Sequence, residues 1–332
     1  MASPSKTFEG TVPPQGGGGR LDRLVVEILD PGISRSLAAR LIREGRVLVD
    51  GQVVSKPGFV PKPGQSLRMV IPPPEIPEPG SPLEPAILYE DEGLAVLDKP
   101  AGLLMHPNTP HGPGPSVAGW LESWKGDGLP IGQGAERPGI VHRLDRGTSG
   151  VCLVAFETEA FEGLLAQFAE REIRKEYRAL VHGRPRFVSD RIQRRLEPHP
   201  HHPGRVHTTK STRAGTRDAI SDYKVLETFD GFAHLRVEPR TGRKHQVRVH
   251  LASEKLPILG DPFYRVGNFG PGLLPEGCPR PTRTLLHAHA IAFQHPLTGE
   301  ELTFRTGLPE DMAEILEFLA AAAPDPGAEC GQ

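Results

Sequence analysis

The chain has 332 residues, of which 37% are hydrophobic and 24% charged, a composition typical of a soluble globular protein with room for two domains. No run of about 18 apolar residues occurs, which excludes a membrane-spanning helix, and the N-terminus lacks a signal-peptide pattern, so we expect a cytoplasmic protein. The three cysteines, Cys152, Cys278 and Cys330, have spacings that match neither a disulfide framework nor a zinc site.

The formal net charge of -2 conceals an uneven distribution of charge along the chain. Residues 20–71 carry 9 Lys or Arg against 5 Asp or Glu, and residues 140–255 carry 22 against 15. The segments 72–139 and 256–332 are acidic. Because phosphate binding depends on the local field rather than on the total charge, the two basic segments are candidate surfaces for a polyanion.

The N-terminal region predicts a small domain of two helices followed by short strands. We expect residues 1–19, rich in Gly, Pro and Ser, to be disordered. Within residues 20–71, apolar residues at helical spacing predict two helices, and Ser34 is placed to cap the second. The pair Asp50-Gly51 between alternating apolar residues predicts a hairpin, and SLRMVI supplies one more strand.

The rest of the chain predicts a linker and a larger α+β domain. Residues 72–85 are so rich in proline that they favour an extended linker. Residues 86–323 then alternate runs of strands with a few helices, which indicates an α+β fold rather than a doubly wound parallel sheet. We expect residues 324–332 to form a disordered tail.

The segment RPGIVHRLDRGTSGVCLVA, residues 137–155, is the most informative for chemistry. It contains Asp145 between Arg143 and Arg146, directly before a Gly-Thr-Ser-Gly turn. Nearby cations favour the charged form of a carboxylate, so Asp145 is suited to act as a nucleophile rather than as an acid. The alternative is an aspartate whose side chain only caps the turn by a hydrogen bond to the backbone of that turn.

Several segments, taken in order, resemble one known family. HRLDRGTSG resembles the signature of the bacterial pseudouridine synthase family of the RluA, RluC and RluD type. Further segments similar to that family follow the same order along the chain and cover nearly all of it: VLDKPAGLLMHP at 96–107, KEYRALVHG at 175–183, TGRKHQVRVHL at 241–251, PILGDPFY at 257–264 and LLHAHAIAFQHPLTGE at 285–300. The resemblance implies a pseudouridine synthase fold with a large mixed, mainly antiparallel sheet and a central catalytic cleft.

The same resemblance implies a role for individual residues. Asp145 would be the nucleophile that attacks the target uridine, either at the anomeric carbon of its sugar or at carbon 6 of its base. Tyr177 would pack against the target base, with a possible part in proton removal, and Arg248 would pair with Asp145. Arg143 would fill the gap left by the extruded nucleotide. The family often has Lys-Asp where this chain has Arg146-Gly147, so the chemistry of this turn differs from the family pattern.

The basic segment TGRKHQVRVHL predicts a turn followed by a helix. Helical spacing places His245 and Arg248 on one face, which could line the site. We expect Arg146, Arg243 and His245 to contact RNA; the alternative for Arg243 and for Lys244 is a plain solvated charge. Without the family resemblance, Tyr177 would be interpreted as an ordinary half-buried aromatic residue of a strand.

The segment LDRLVVEILDPGISRSLAARLIREGRVLVDGQVVSKPG, residues 21–58, resembles the RNA-binding domain first recognised in small-subunit ribosomal protein four. A helix N-terminus and arginines one turn apart form a surface suited to phosphate. The expected contacts are Ser34, Arg35, Arg40, Arg43 and Lys56. The alternative is a charged face that is only solvated.

Two other patterns carry little weight. His199, His201, His202 and His207 cluster in a Pro-rich stretch without carboxylate or thiol partners at fixed spacing, which favours a loop near RNA over a metal site. The run of glycines at 16–19 lacks the lysine and the strand of a phosphate-binding loop. We therefore predict no metal and no cofactor.

The sequence thus predicts a monomeric enzyme that isomerises uridine to pseudouridine in structured RNA after base flipping, with ribosomal RNA of the large subunit favoured and transfer RNA as the nearest rival. Two hypotheses of other classes compete. A non-catalytic RNA-binding or ribosome-assembly protein would need a broken active site, whereas Asp145, Tyr177 and Arg248 are all present. A metal-dependent nuclease built on the histidine cluster would lose its activity to chelators.

Overall fold

The structure is a computed structural model that describes two compact units, Met1–Gly80 and Ser81–Gln332. The described residues are 6–14, 19–29, 35–43, 45–71, 83–107, 115–126, 128–132, 134, 137–202, 204–265 and 274–322. In this part of the chain, none of the helices combines the length and the apolar character that a membrane crossing requires.

The first unit packs helices against a four-stranded antiparallel sheet. Its elements are β1 (Lys6–Thr11), α1 (Leu21–Leu24) with a π-helical continuation (Val25–Leu29), α2 (Arg35–Arg43), β2 (Val47–Val49), β3 (Gln52–Val53) and β4 (Ser66–Ile71). The strand order is β1-β4-β2-β3. Apolar side chains from α1, α2, β2 and β4 form one core, which explains the helical and alternating spacing seen in the sequence.

Strand β1 corrects the expectation that residues 1–19 are disordered. It runs antiparallel to β4, with Lys6 opposite Ile71 and Thr11 opposite Ser66. Its local pattern alternates a half-buried Phe8 with exposed neighbours, and Val12 after it is fully buried. The average composition of residues 1–19, dominated by Gly and Pro, hid this short alternation.

The predicted hairpin is confirmed. Asp50 and Gly51 both have positive φ, 49° and 76°, and join β2 to β3. Two such residues in succession give the turn whose twist matches a hairpin. Ser34, the predicted helix cap, lies outside the described residues.

The second unit contains one large sheet and four helices among its described residues. Its elements in chain order are β5 (Ala86–Glu90), β6 (Leu94–Lys99), α3 (Val117–Lys125), β7 (Ser149–Ala155), α4 (Thr158–Glu170), β8 (Arg174–His182), β9 (Ser189–Pro198), β10 (Val206–Thr209), β11 (Arg217–Phe229), β12 (Phe232–Pro239), α5 (Gln246–Ser253), β13 (Leu286–Gln294), β14 (Glu301–Arg305) and α6 (Glu310–Ala321).

The ten strands follow the order β10-β9-β11-β12-β8-β13-β7-β6-β5, with β14 beside β13. All pairs between described strands are antiparallel except β7 with β13, which run parallel over two residue pairs. This arrangement confirms the predicted α+β fold with a large mixed, mainly antiparallel sheet.

The middle of the sheet is covered on both faces. All seven residues of β7 are buried, with α4 in the apolar cluster on one side and α3 in the cluster on the other. A strand buried on both faces needs a continuous apolar run, which VCLVA at 151–155 supplies. Helices α5 and α6 contribute to a further cluster with β8 and β12.

Two glycines allow the close backbone contacts that assemble the centre of this unit. Gly150 has φ +110°, and a Cβ there would lie 2.2 Å from the carbonyl oxygen of Ala288 on β13. Gly260 has φ +73°, and a Cβ there would lie 1.9 Å from the carbonyl oxygen of Arg283. A side chain at either position would separate the segments that form the site.

Candidate active site

A cavity of about 410 Å³ lies where the Asp145 loop, β8 and the start of α5 meet. It brings together Asp145, Tyr177 and Arg248, which are far apart in the sequence. The other predicted site residues that line it are Arg143, Arg243 and His245. Its volume lies in the range of roughly 300–1,000 Å³ found for sites that enclose a small ligand.

The loop that carries Asp145 is fixed by backbone hydrogen bonds. The N–H of Thr148 donates to the carbonyl of Asp145 at 3.0 Å, which closes a turn directly before β7. The N–H of Gly102 donates to the carbonyl of Arg146 at 2.8 Å. Arg283 donates through Nη1 to the carbonyl of Gly147 at 3.2 Å. The position of Asp145 is therefore set by two distant segments as well as by its own turn.

Arg248 is the cation that pairs with Asp145. Its Nη1 donates to Asp145 Oδ2 at 2.9 Å. Its Nε and Nη2 donate to the two oxygens of Asp261 at 2.6 and 2.9 Å. Asp261, with a side chain only 1% exposed, therefore holds the guanidinium in a two-point contact and leaves the third nitrogen for Asp145.

Arg248, Asp261 and Asp145 form a triad whose charges stabilise one another. Burial lowers the pKa of Arg248, but the hydrogen bonds and negative charges of Asp261 and Asp145 outweigh it and leave that pKa raised. For Asp261, burial acts to raise the pKa, whereas Arg248 and the backbone N–H groups of Phe263 and Tyr264 leave it lowered. The guanidinium stays charged and in place because both carboxylates face it.

His245 lies beside Asp145 in a conformation that costs energy. Its φ is +53°, in the left-handed region, directly before the first residue of α5. Its Nδ1 is 2.8 Å from the hydroxyl of Tyr264, and its Nε2 is 3.8 Å from Asp145 Oδ1. Burial lowers the pKa of His245 to about 4, so the imidazole is neutral at pH 7.

Tyr177 lies on β8 opposite Ala288 and lines the cavity. Burial raises the pKa of its hydroxyl well above its usual range, and the negative charge of Asp145 acts in the same direction. The hydroxyl is therefore protonated at neutral pH. The aromatic ring is partly buried between two apolar clusters of the sheet.

The adjacent arginines do not supply the cation that the local sequence suggested for Asp145. Arg143 is exposed at the edge of the cavity, and Arg146 is exposed with Nε donating to the carbonyl of Gly102 at 3.0 Å. Neighbours in sequence point in different directions in this turn. Arg248, 103 residues later, takes the place that was expected for them.

Other basic residues of the motifs are divided between the cavity and the fold. Arg243 and Lys244 are exposed and line the cavity ahead of α5. His142 serves the fold: its Nε2 accepts from the N–H of Leu153 at 2.8 Å, and its ring stacks on Phe168. Burial lowers the pKa of His142 to about 3, which keeps it an acceptor.

Sequence reasoning missed several residues that shape the site. Asp261 lies inside the segment PILGDPFY, yet its pairing with Arg248 had no local signal. Lys175 lines the cavity with a pKa lowered by burial, and no carboxylate pairs with it among the described residues. Gln246 accepts hydrogen bonds from Thr241 and from the N–H of Arg243, which fixes the turn before α5.

The histidine cluster is a group of rings without a metal geometry. His199 lies 4.6 and 5.3 Å from His202 and His207, measured between ring centroids, and His207 pairs with Glu197. Over the residues that the structure describes, no three His, Cys, Asp or Glu side chains are arranged to hold a metal ion. The nuclease alternative therefore has no such site in this part of the chain.

The predicted contacts of the first unit are only partly described. Arg43 at the end of α2 and Lys56 after β3 have exposed side chains. Arg35 and Arg40 lie on α2, but their side chains are outside the described part of the structure, as is Ser34. The role of this surface remains a prediction.

Sequence comparison finds a family for each unit. The profile of RNA pseudouridylate synthases matches residues 93–253, and the profile of the S4 domain matches residues 19–67. An uncharacterised RNA pseudouridine synthase of Aquifex aeolicus is 34% identical over 92% of this chain and 95% of its own length. A protein of Pseudomonas aeruginosa named ribosomal large subunit pseudouridine synthase D is 34% identical over 93% of this chain and 94% of its own.

Solved structures agree with this result. The human RNA pseudouridylate synthase domain containing 4 shares 25% identity, covers 71% of this chain and 93% of its own, and superimposes with a TM-score of 0.55. The human RNA pseudouridylate synthase domain containing 1, at 23% identity and a TM-score of 0.53, shares the fold. From these matches and the order of its motifs, the chain belongs to the RNA pseudouridine synthase family, in its RluA-type branch with an S4 domain at the N-terminus.

Proposed function

We propose that this enzyme isomerises uridine to pseudouridine in large-subunit (23S) ribosomal RNA, with Asp145 as the nucleophile. The observation that carries the proposal is the ion pair of Asp145 with Arg248 at the wall of a cavity large enough for an extruded nucleotide. The relatives named as ribosomal large subunit synthases support the choice of RNA. A ribosomal RNA substrate is also our reason for proposing the cytoplasm as its compartment.

The reaction exchanges one bond of the sugar for another. The bond from C1′ to N1 of uracil breaks, the base turns, and a bond from C1′ to C5 forms. The proton on C5 leaves and N1 gains one, so the product is an isomer of the substrate. The reaction needs a nucleophile, a path for one proton and a pocket that retains the detached base, and no redox partner.

The geometry of Asp145 supports its role. Oδ2 is tied to Arg248, whereas Oδ1 lies 3.8 Å from His245, beyond hydrogen-bond distance, and can face a ligand. The side chain is 20% exposed, so a substrate can reach it. Attack at C1′ would give a glycosyl ester and attack at C6 of the base a covalent adduct; in both routes the same carboxylate oxygen forms the bond.

Tyr177 supports the base by packing rather than as a phenolate. Its raised pKa keeps the hydroxyl protonated at neutral pH, so it is a poor base there. Tyr177→Phe preserves the ring and is expected to keep most of the activity, and Tyr177→Ala is expected to lose it. Equal, severe losses in both variants, measured as initial rates of pseudouridine formation, would instead require the hydroxyl in proton transfer.

The target uridine must leave its stack to reach Asp145. Extrusion costs a few kcal/mol and less in an RNA loop than in a duplex. Arg143, exposed at the edge of the cavity, has the planar charged group that can occupy the vacated space and contact phosphate. Arg146, Arg243 and His245 complete the RNA contacts that we propose around the cavity.

The S4 domain adds affinity for RNA rather than chemistry. The exposed Arg43 and Lys56 are the contacts that the described side chains support best, together with Ser34, Arg35 and Arg40 from the sequence. The double variant Arg43→Glu with Lys56→Glu should bind RNA more weakly and with a smaller dependence on salt. Each phosphate contact adds roughly 0.7 to 0.9 to the slope with which the logarithm of the binding constant falls against the logarithm of the salt concentration.

The decisive experiment maps pseudouridines in ribosomal RNA from cells with the gene, without it, and with Asp145→Asn. We expect one or more sites to be lost in the second and third maps. If the three maps are identical, the proposal is wrong. Purified enzyme should also form pseudouridine in the presence of a chelator, whereas a metal-dependent nuclease would cleave the RNA and would lose that activity to the chelator.

A further inference from the structure

An exposed aromatic residue lies beside the candidate active site. Phe263 is 42% exposed, although Asp261, two residues before it, and Tyr264, directly after it, are buried and are bonded to Arg248 and His245, respectively. Most exposed apolar side chains of a protein are scattered and need no explanation. Phe263 differs because the residues around it are those of the site.

The ring of Phe263 is held in place. Its backbone N–H donates to Asp261 Oδ1 at 2.8 Å. The guanidinium of Arg248 lies 5.4 Å from the ring centroid and the imidazole of His245 lies 6.0 Å from it, centroid to centroid. Because Arg248 and His245 line the cavity, Phe263 is separated by one layer of side chains from the space where the uridine would bind.

Arg205 provides a second planar group at the same place. Its guanidinium lies 4.6 Å from the centroid of Phe263. It is half-buried, and no carboxylate pairs with it within the described residues. The next residue, Val206, begins β10 and donates its N–H to the hydroxyl of Tyr264 at 3.1 Å, so the start of β10 is bonded to the segment that carries Phe263.

We propose that Phe263 and Arg205 form a stacking platform for the RNA base next to the extruded uridine. Splayed RNA bases are bound by stacking on aromatic rings and on arginine planes, and such stacking tolerates any base. The platform would therefore contribute affinity and fix the position of the flanking nucleotide rather than select a sequence. This inference rests on the proposed function, since it assumes that RNA occupies the cavity.

The chain offers a matched control in Phe187. It is 51% exposed and also has an arginine, Arg186, over its ring at 5.2 Å. Phe187 comes after His182, the last residue of β8. Along the strand, His182 alone is already roughly 17 Å from Tyr177. Phe187 thus has the same chemistry at a distance from the cavity.

The test measures affinity for a large-subunit ribosomal RNA transcript, in full-length Asp145→Asn protein so that the RNA stays unmodified. Phe263→Ala should raise Kd roughly 5-fold to 150-fold, as for the loss of one base–aromatic stack. Phe263→Trp should retain affinity, and Phe187→Ala should leave it unchanged. The salt dependence of Kd should not change with Phe263→Ala, because no phosphate contact is removed.

Several results would overturn the platform. One is an unchanged Kd for Phe263→Ala; another is an equal loss for Phe187→Ala. A third concerns the rate: if Phe263→Ala, made in the enzyme that retains Asp145, has an unchanged Kd but a slower single-turnover rate at saturating RNA, then Phe263 only positions Arg248. If Phe263→Ala fails to fold, Arg205→Ala replaces it in the binding measurement: a raised Kd supports the platform and an unchanged Kd contradicts it.

The proposed function is judged separately from the platform. Pseudouridine formation by the unaltered enzyme tests the function, whatever residue 263 contributes. If the enzyme modifies the RNA and Phe263→Ala binds it normally, only the platform is wrong. If the enzyme binds the RNA through Phe263 but never modifies it, the function is wrong and the platform stands as an RNA contact.

Discussion

The substitution Asp261→Asn removes the negative charge of the buried carboxylate that holds Arg248. Asp261 Oδ1 accepts from Arg248 Nη2, Phe263 N–H and Tyr264 N–H, while Oδ2 accepts from Arg248 Nε. An asparagine has only one acceptor oxygen. If that oxygen keeps the three bonds of Oδ1, its NH2 group faces the N–H of Arg248 Nε, so two donors oppose each other.

The expected cost follows from burial. Breaking a buried ion pair by removing one partner typically costs about 3–5 kcal/mol. Asparagine preserves the shape and part of the hydrogen bonding, and Arg248 keeps Asp145 as a partner, so we expect a loss of about 3 kcal/mol in the free energy of unfolding. Displacing a catalytic group by about 1 Å can cost roughly a hundredfold in rate, so pseudouridine formation should fall by about that factor.

Urea unfolding at pH 7 measures the first quantity and a single-turnover rate the second. The matched control is Asp230→Asn, which removes a carboxylate paired with Arg184 on the surface, where the side chains are 90% and 71% exposed; its unfolding should not change measurably. In an Arg248→Met background, Asp261→Asn should no longer be destabilising, because the carboxylate there has lost its cation. An unfolding free energy for Asp261→Asn equal to that of the unaltered chain would refute this account of the triad.

Three further predictions concern the fold around the site. Gly150→Ala should lower the free energy of unfolding by more than about 2 kcal/mol, because its Cβ would overlap the backbone of Ala288. Gly147→Ala is the control, because a Cβ has room there. Thermal melting of both variants, followed by circular dichroism, tests this. Burial lowers the pKa of His250 to about 4, so the unfolded chain protonates it first and stability should fall as the pH drops from 6.5 towards 4. His250→Asn should make that fall shallower in urea unfolding at pH 5 and 7; an equally steep fall would contradict the assignment. Arg283→Met should slow the reaction more than it weakens RNA binding, because it frees the carbonyl of Gly147 beside Asp145; a loss in binding alone would contradict a positioning role.

Much of the fold could be predicted because its elements have local signals. The helix α4 follows from Phe161, Leu164 and Phe168 at helical spacing, and β5 and β6 follow from apolar runs around a tight turn. Strand β1 could not be predicted from composition, since the register with β4 supplies the partner that a short polar strand lacks by itself.

The site was predictable only in part, for a similar reason. The resemblance to a family brought Asp145, Tyr177 and Arg248 to attention, and the structure brings them to one cavity. The pairing of Asp261 with Arg248 joins residues on two segments and has no periodic pattern. Which arginine faces Asp145 depends on the direction of each side chain in the turn, and sequence neighbourhood gave the wrong answer there.

The claim that Asp145 is the nucleophile in uridine isomerisation is tested most directly by tritium release. In RNA labelled at carbon 5 of uridine, formation of the bond from C1′ to C5 expels the label into water. Purified enzyme incubated with labelled large-subunit ribosomal RNA should release tritium, and Asp145→Asn, shown to be folded and to bind the same RNA, should release none above background. Release at the unaltered rate by Asp145→Asn would contradict the account.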